Sequence, residues 1–298
     1  MASRFVIALT VAVAALAGCS GERNAPTAAA SRAPGWQLKM GNGTVASYAD
    51  VDGAGNPTAI GVVWSATALD GLPGGSDMHR CVGRNKDGEA DAATKCQHTH
   101  EFVIPLPDAV ARRDDVPFKW VLLNWNPEGH IPPGVYDVPH FDVHFEMAPI
   151  ADVFAIESGP CGPELVRCDQ FKAGRKPLPP NYHPPGYIDV EAVVPAMGNH
   201  LIDPTGPEFQ KQPFTRSYIY GIYDGTMIFH EVMVTRAYLL TKPDGCQPIK
   251  AAKAVAVAGL YPTEYCVRHN AKTGEYSASL EKFTRREAGA PEPIPAKG

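Results

Sequence analysis

Proline and glycine punctuate this chain too densely for long helices: 29 prolines and 28 glycines are spread over 298 residues. Each proline fixes φ and removes a backbone donor, and clusters of both residue types end regular elements. The stretches between the breaks are short, aromatic and β-branched. The clearest is residues 214–223, which run up to Asp224-Gly225, a dipeptide suited to a type I′ hairpin turn because both central residues take positive φ. Residues 226–235 then form the return strand. Further strands are expected at 43–50, 58–65, 100–106, 117–125, 136–147, 187–194 and 252–259. Short helices are expected at 107–112 and 149–156, each with proline at its first turn. The expected fold is mainly β: an antiparallel sandwich or barrel with long loops and a few short helices.

The N-terminus carries one charge, Arg4, then an apolar run over residues 5–16 and the sequence Leu16-Ala17-Gly18-Cys19. The run is shorter than the roughly 20 residues that span a bilayer, and it ends in small residues as a signal peptide does. The pattern resembles the bacterial lipoprotein signal, in which the cysteine becomes the acylated first residue of the mature chain. The expectation is a signal peptide over 1–18, a flexible tether over 19–34, one β-rich domain over 35–285 and a disordered tail over 286–298. Cys19 would carry the lipid and make the membrane contact in the cell envelope, facing the periplasm or the cell surface. Ser20 supplies no aspartate-type retention signal, which points to the outer membrane rather than the inner one.

Six further cysteines remain, an even number, which in an exported chain reads as disulfides. The choice most local in sequence joins Cys81 to Cys96, Cys161 to Cys168 and Cys246 to Cys266. A cysteine metal cluster is disfavoured because the chain has no Cys-x-x-Cys pair. The formal net charge of -5 and the lack of a basic run argue against nucleic acid, whose phosphates need a basic surface. No Gly-x-Ser-x-Gly, P-loop or Rossmann fingerprint occurs, so serine hydrolase, nucleotide and NAD readings lack support.

Residues 140–146 alternate strictly. Phe141, Val143 and Phe145 fall on one face of a strand; His140, Asp142, His144 and Glu146 fall on the other. The second set is the ligand chemistry of zinc or another divalent transition metal. On a regular strand the Cα atoms of His140 and His144 stand roughly 13 Å apart, and an imidazole brings a metal only about 6 Å from its own Cα. They share one ion only if the strand bends or bulges, for which Pro139 offers an irregular start. Otherwise Asp142 with one histidine is the better pair. His200 sits in a turn bounded by Gly198 and Pro204 that places an imidazole at a strand end. A two-residue loop at 224–225 pairs Tyr218 with Glu231, which sets Glu231 on a face with Tyr218, Tyr220, Phe229 and Met233. A carboxylate among aromatics is costly to bury unless paired, metal-bound or protonated. His230 then points the other way, beside Ile219 and Val232, as a packed residue. His130 is a further ligand or a loop residue, and His98 and His100, shortly after Cys96, read as solvent-facing.

These residues carry a resemblance. Asn124-Trp125-Asn126-Pro127, Gly129-His130, Pro132-Pro133-Gly134-Val135-Tyr136 and Pro139-His140-Phe141-Asp142 with His144 resemble a bacterial family of unknown function, the TTHB-like domain family. Met197-Gly198 with His200, Asp203-Pro204, Tyr220-Gly221, Asp224-Gly225, and Glu231 with Met233 are similar in the same order. So is Gly61-Val62 followed by Ala68-Leu69-Asp70-Gly71-Leu72-Pro73. The resemblance covers residues 38–242. Glu146, His230 and Val232 depart from it, as do the insert with Cys81 and Cys96 and everything after 242. It implies a β-rich fold and a homo-oligomer, but no reaction.

The functional expectation is an envelope lipoprotein that binds a divalent ion through His140, His144, His200 and Glu231, with Asp142 and His130 in reserve. Zinc suits such ligands and needs no redox partner, and an open position would polarise a bound oxygen ligand or water. The rival expectation is a non-catalytic binding or assembly protein in which the histidines are structural. Whether the chain is an enzyme stays open at this point.

Overall fold

The structure, a computed structural model, describes residues 31–75, 100–161 and 166–295. Cys19, the signal segment, Cys81, Cys96 and His98 lie outside the described residues. Strands and helices are numbered in chain order. One antiparallel sheet runs β1 (Ser31–Met40), β2 (Gly43–Val51), β3 (Pro57–Trp64), β15 (Tyr276–Glu281), β14 (Glu264–His269), β12 (Asp244–Pro248). A second runs β4 (Glu101–Pro105), β5 (Trp120–Asn126), β6 (His140–Glu146), β11 (Thr226–Thr235), β10 (Arg216–Tyr223), β9 (Gly198–Ile202), β8 (Ile188–Val194). β13 (Gly259–Tyr261) pairs with β16 (Thr284–Arg286), and β7 (Ser158–Cys161) bridges to Val166. Neither sheet closes on itself, so the architecture is the expected antiparallel sandwich.

Alternation decides how the sheets meet. Phe141, Val143 and Phe145 of β6, with Val121 and Leu123 of β5 and Val232 of β11, face Val45, Ile60 and Trp64 of the first sheet in one apolar core. Phe141 holds Trp64 and Trp125 at ring-centroid distances of 5.0 and 4.7 Å. Full burial of such a side chain stabilises by roughly 1.5–3 kcal/mol. The opposite face of the second sheet is covered as well, and all seven residues of β6 are buried. Two smaller clusters cover it: Tyr136, Ile202, Phe214, Ile219 and Met233 at one end, and Trp120, Leu122, Val153, Met197 and Phe229 at the other.

The hairpin turn has φ of 48° at Asp224 and 74° at Gly225, the two positive values of the expected turn type. Its register differs from the expectation by one residue. A bulge leaves Ile228 extra, so Glu231 pairs with Ile219 and Tyr218 pairs with Val232. Tyr218 and Tyr220 therefore point into the main core with His230, while Glu231 shares its face with Ile219, Phe229 and Met233.

Other expectations are corrected in detail. Residues 136–139 are bends and irregular backbone, and the strand begins at His140. Residues 252–259 are mostly irregular, with one isolated bridge from Val255 to Ala288. The tether gives way to β1 already at Ser31. The C-terminal segment is held as far as Glu292: Asn181 donates to the Ala290 carbonyl at 2.7 Å and accepts from the Glu292 amide at 3.0 Å. His100 is buried, 1% exposed, with Nε2 2.8 Å from the Gly75 carbonyl.

Helices are short, as expected: α1 (Asp108–Ala111) and α2 (Ile150–Phe154) follow Pro107 and Pro149, which sit at their N-caps. α3 (Cys168–Gly174) and α4 (Arg236–Leu240) were not foreseen. Disulfides join Cys161 to Cys168 and Cys246 to Cys266. Among the described residues no helix is long and apolar enough to cross a membrane.

Candidate metal centre

β6 pairs with β5 and β11 without a bulge. The strand therefore stays regular, and His140 and His144 cannot share an ion. The structure divides the six candidate residues between two triads instead. His144, His200 and Glu231 form one; His130, His140 and Asp142 form the other, and within each the ligand atoms lie within 4.8 Å of one another.

In the first triad Glu231 lies opposite His144 in the β6–β11 register, and His200 comes from β9, opposite Gly221 of β10. His200 is thus a strand residue rather than a turn residue. The Phe229 ring wedges both imidazoles, with centroids 4.8 Å from His144 and 5.2 Å from His200. That ring lies over Gly221, where a Cβ would stand 2.0 Å from it. His144 Nε2 is 3.6 Å from Glu231 Oε1, and His200 Nε2 is 3.9 Å from Oε2. Four ligands in a tetrahedron with bonds of about 2.1 Å stand roughly 3.4 Å apart, so a small contraction would close these atoms on zinc.

Tautomers can be read from the outer contacts. His144 Nδ1 lies 3.1 Å from the Leu122 carbonyl and His200 Nδ1 lies 2.9 Å from the Ala192 carbonyl. A carbonyl only accepts, so each Nδ1 carries the hydrogen and each neutral ring presents its Nε2 lone pair inward. Metal-binding histidines are commonly oriented in this way. His144 Nε2 and Glu231 Oε2 are buried without a hydrogen-bond partner. Burial lowers the His144 pKa to about 3, a shift that the Asp142 charge opposes and His200 reinforces. Burial first, then Asp142 and Glu146, hold the Glu231 carboxyl well above its ordinary range. A buried carboxyl beside two inward lone pairs is a place where a cation stabilises what water cannot reach.

The second triad repeats the pattern around a different acid. His140 Nε2 is 3.1 Å from Asp142 Oδ1, and His130 Nε2 is 3.2 Å from Oδ2. Their Nδ1 atoms meet the carbonyls of Val138 at 2.6 Å and Ile131 at 2.7 Å. Asn126 donates to Asp142 Oδ2 at 2.6 Å. Burial alone would raise the Asp142 carboxyl, but His140 and His130 more than reverse it and hold it well below the usual range.

Glu146 continues the polar face of β6 but joins neither triad. Both its oxygens lack hydrogen bonds, and burial keeps its carboxyl well above the ordinary range. His230 is a packed residue, as expected; the Tyr218 hydroxyl lies 2.7 Å from its Nδ1. A third grouping of Cys246, Glu264 and Cys266 offers no thiolates, because both sulfurs are in a disulfide.

Both triads open on one mainly apolar cavity of about 260 Å³, reached by His130 and Asp142 of one and by His200 and Glu231 of the other. Asn124 lines it too, and sequence reasoning assigned it no role. Its side chain is 1% exposed, both amide atoms lack hydrogen bonds, and it lies opposite Asp142 in the β5–β6 register. Alternation against the core residues Leu123 and Trp125 was the signal that could have found it.

No family model, curated protein or solved structure matches this chain.

Proposed function

We propose that the protein is a lipid-anchored envelope protein whose β-sandwich binds a divalent ion, zinc by preference, through His144, His200 and Glu231. One observation carries the reading: two inward Nε2 atoms and a carboxylate converge within 4.8 Å in a buried place, with each Nδ1 tied back to a carbonyl. Three protein ligands leave a fourth position for a small oxygen ligand. The anchor rests on the sequence around Cys19. The segments that carry the resemblance to the TTHB-like family also hold all six residues of the two triads, which supports one shared purpose for them.

A second reading keeps the histidines structural. The contacts of Asp142 with His130, His140 and Asn126 favour it for that triad, since they form a continuous polar network. Metal analysis separates the two. The full-length protein should carry about one zinc per chain at His144, His200 and Glu231. At zinc 100 times its dissociation constant, folding should gain roughly 2.7 kcal/mol, visible by calorimetry. His200→Ala and Glu231→Gln should each abolish that gain. A native protein without metal, whose melting is unmoved by zinc, copper, manganese or iron, sinks the metal reading. Separately, Cys19→Ala should release the chain from the membrane fraction; a native chain already soluble in the periplasm removes the anchor.

A further inference from the structure

The cavity beside the triads has a charge balance that points to its ligand. Asp142 and Glu231 are its only acidic lining residues among the described residues. Glu208 is also buried nearby, but it lies behind Tyr136, whose hydroxyl it accepts at 3.4 Å, and does not line the cavity. A divalent ion against Glu231 leaves the first triad with one net positive charge. In the second, both imidazoles are already held by Asp142 and by backbone carbonyls. A net positive charge on the wall of a mainly apolar cavity is expensive unless an anion joins it.

Asn124 gives a second, independent sign. Its amide is buried on that wall with no partner for either polar atom, a desolvation cost that a ligand would relieve. Besides Asn126 and Tyr136, the rest of the lining is apolar, with Val194, Met197, Ile202, Phe209 and Ile219 among it. Ile131 and Val190, each 40% exposed, give the lining apolar side chains that solvent also reaches. An apolar cavity of about 150 Å³ accepts benzene, so one of about 260 Å³ takes a body of about ten heavy atoms.

We propose that the cavity binds a compact lipophilic oxyanion, a monocarboxylate or phenolate. Its oxygen occupies the open position of the ion at His144, His200 and Glu231 and accepts from Asn124, while its apolar body fills the cavity. This rests on the metal reading above and adds the class of ligand. No bond is made or broken in it.

Benzoate is a suitable probe and benzamide its neutral counterpart. Zinc content of the full-length protein is measured first, then binding of each probe by titration calorimetry. Benzoate should bind the zinc-loaded protein at least tenfold more tightly than benzamide. Asn124→Leu should weaken benzoate at least fivefold while zinc content holds. Should that variant not fold, Val190→Trp, at a half-exposed position, narrows the cavity and should produce the same loss. A zinc-loaded protein that prefers benzoate no more than benzamide overturns the ligand class and leaves the metal reading standing. So does unaltered benzoate binding in the folded variants. A chain that takes up no metal overturns both.

Discussion

A buried imidazole is tolerated while it stays neutral, and two histidines show this from opposite faces of one sheet. His230 sits in the main core, where burial, with a smaller push from Arg286, lowers its pKa to about 3. The unfolded chain protonates the same ring near its ordinary value of about 6.5. Between these values the unfolded state binds the extra proton, so stability is complete above the higher one and is lost as pH falls toward the lower. At pH 5 the cost is about 2 kcal/mol. Replacing His230 with Gln removes the titration but keeps a partner for the Tyr218 hydroxyl. Urea unfolding at pH 7 and pH 5 should then differ by about 2 kcal/mol less than in the native chain; an unchanged difference refutes the assignment. At this scale the sequence was informative about residue types but not about partners. His130, His140, Asp142, His144, His200 and Glu231 stood out because such chemistry on a strand face is rare. Their division into two triads depends on β6 being straight, and a sequence does not state that. Asn124 escaped because an unpaired amide is visible only once its neighbours are placed.

Among the elements, the hairpin of β10 and β11 does most to build the site. Its turn was legible from Asp224-Gly225, whereas its register was not, because a bulge has no obligatory residue and Ile228 looks like any strand residue. The single extra residue sends Tyr218 and Tyr220 to the core and leaves Ile219 beside Glu231. Gly221 then has a reason to be glycine: the Phe229 ring occupies the volume of its missing side chain. Gly221→Ala should push that ring against His144 and His200, with an overpacking cost of about 1–3 kcal/mol. Zinc affinity should fall together with the melting temperature. If the variant melts lower but holds zinc as tightly as before, Phe229 is not what positions the imidazoles. Other elements were misread for plain reasons. Small residues and Pro34 made residues 31–34 of β1 look like tether, yet an edge strand tolerates proline, and its register shifts between Pro34 and Gln37. The alternation of valine in 252–259 is mostly with alanine, a poor strand former, and that segment stays irregular.

Across the whole molecule, the two sheets carry separate duties. The triads lie on the face of the second sheet turned away from the first, so the first sheet supports them only through the shared core. The Cys246–Cys266 disulfide ties neighbouring strands of that first sheet at facing positions. Closing a loop of 20 residues is worth about 3 kcal/mol in the chain-entropy model. Cys246→Ser with Cys266→Ser should lower unfolding free energy by up to about that amount while zinc stoichiometry stays the same; loss of zinc would show that the sheets are coupled. The sandwich class was legible from punctuation and alternation, because both follow from local backbone chemistry, while the strand order was not. One consequence of the straight central strand concerns how such a chain can change over generations. Along β6 the even positions hold chemistry and the odd positions hold hydrocarbon. Point substitutions can retune either set alone, but inserting or deleting one codon inside it would exchange the two sets together. Length within residues 140–146 is therefore far less free to drift than composition, and new activity on this scaffold must come by replacement or from its loops.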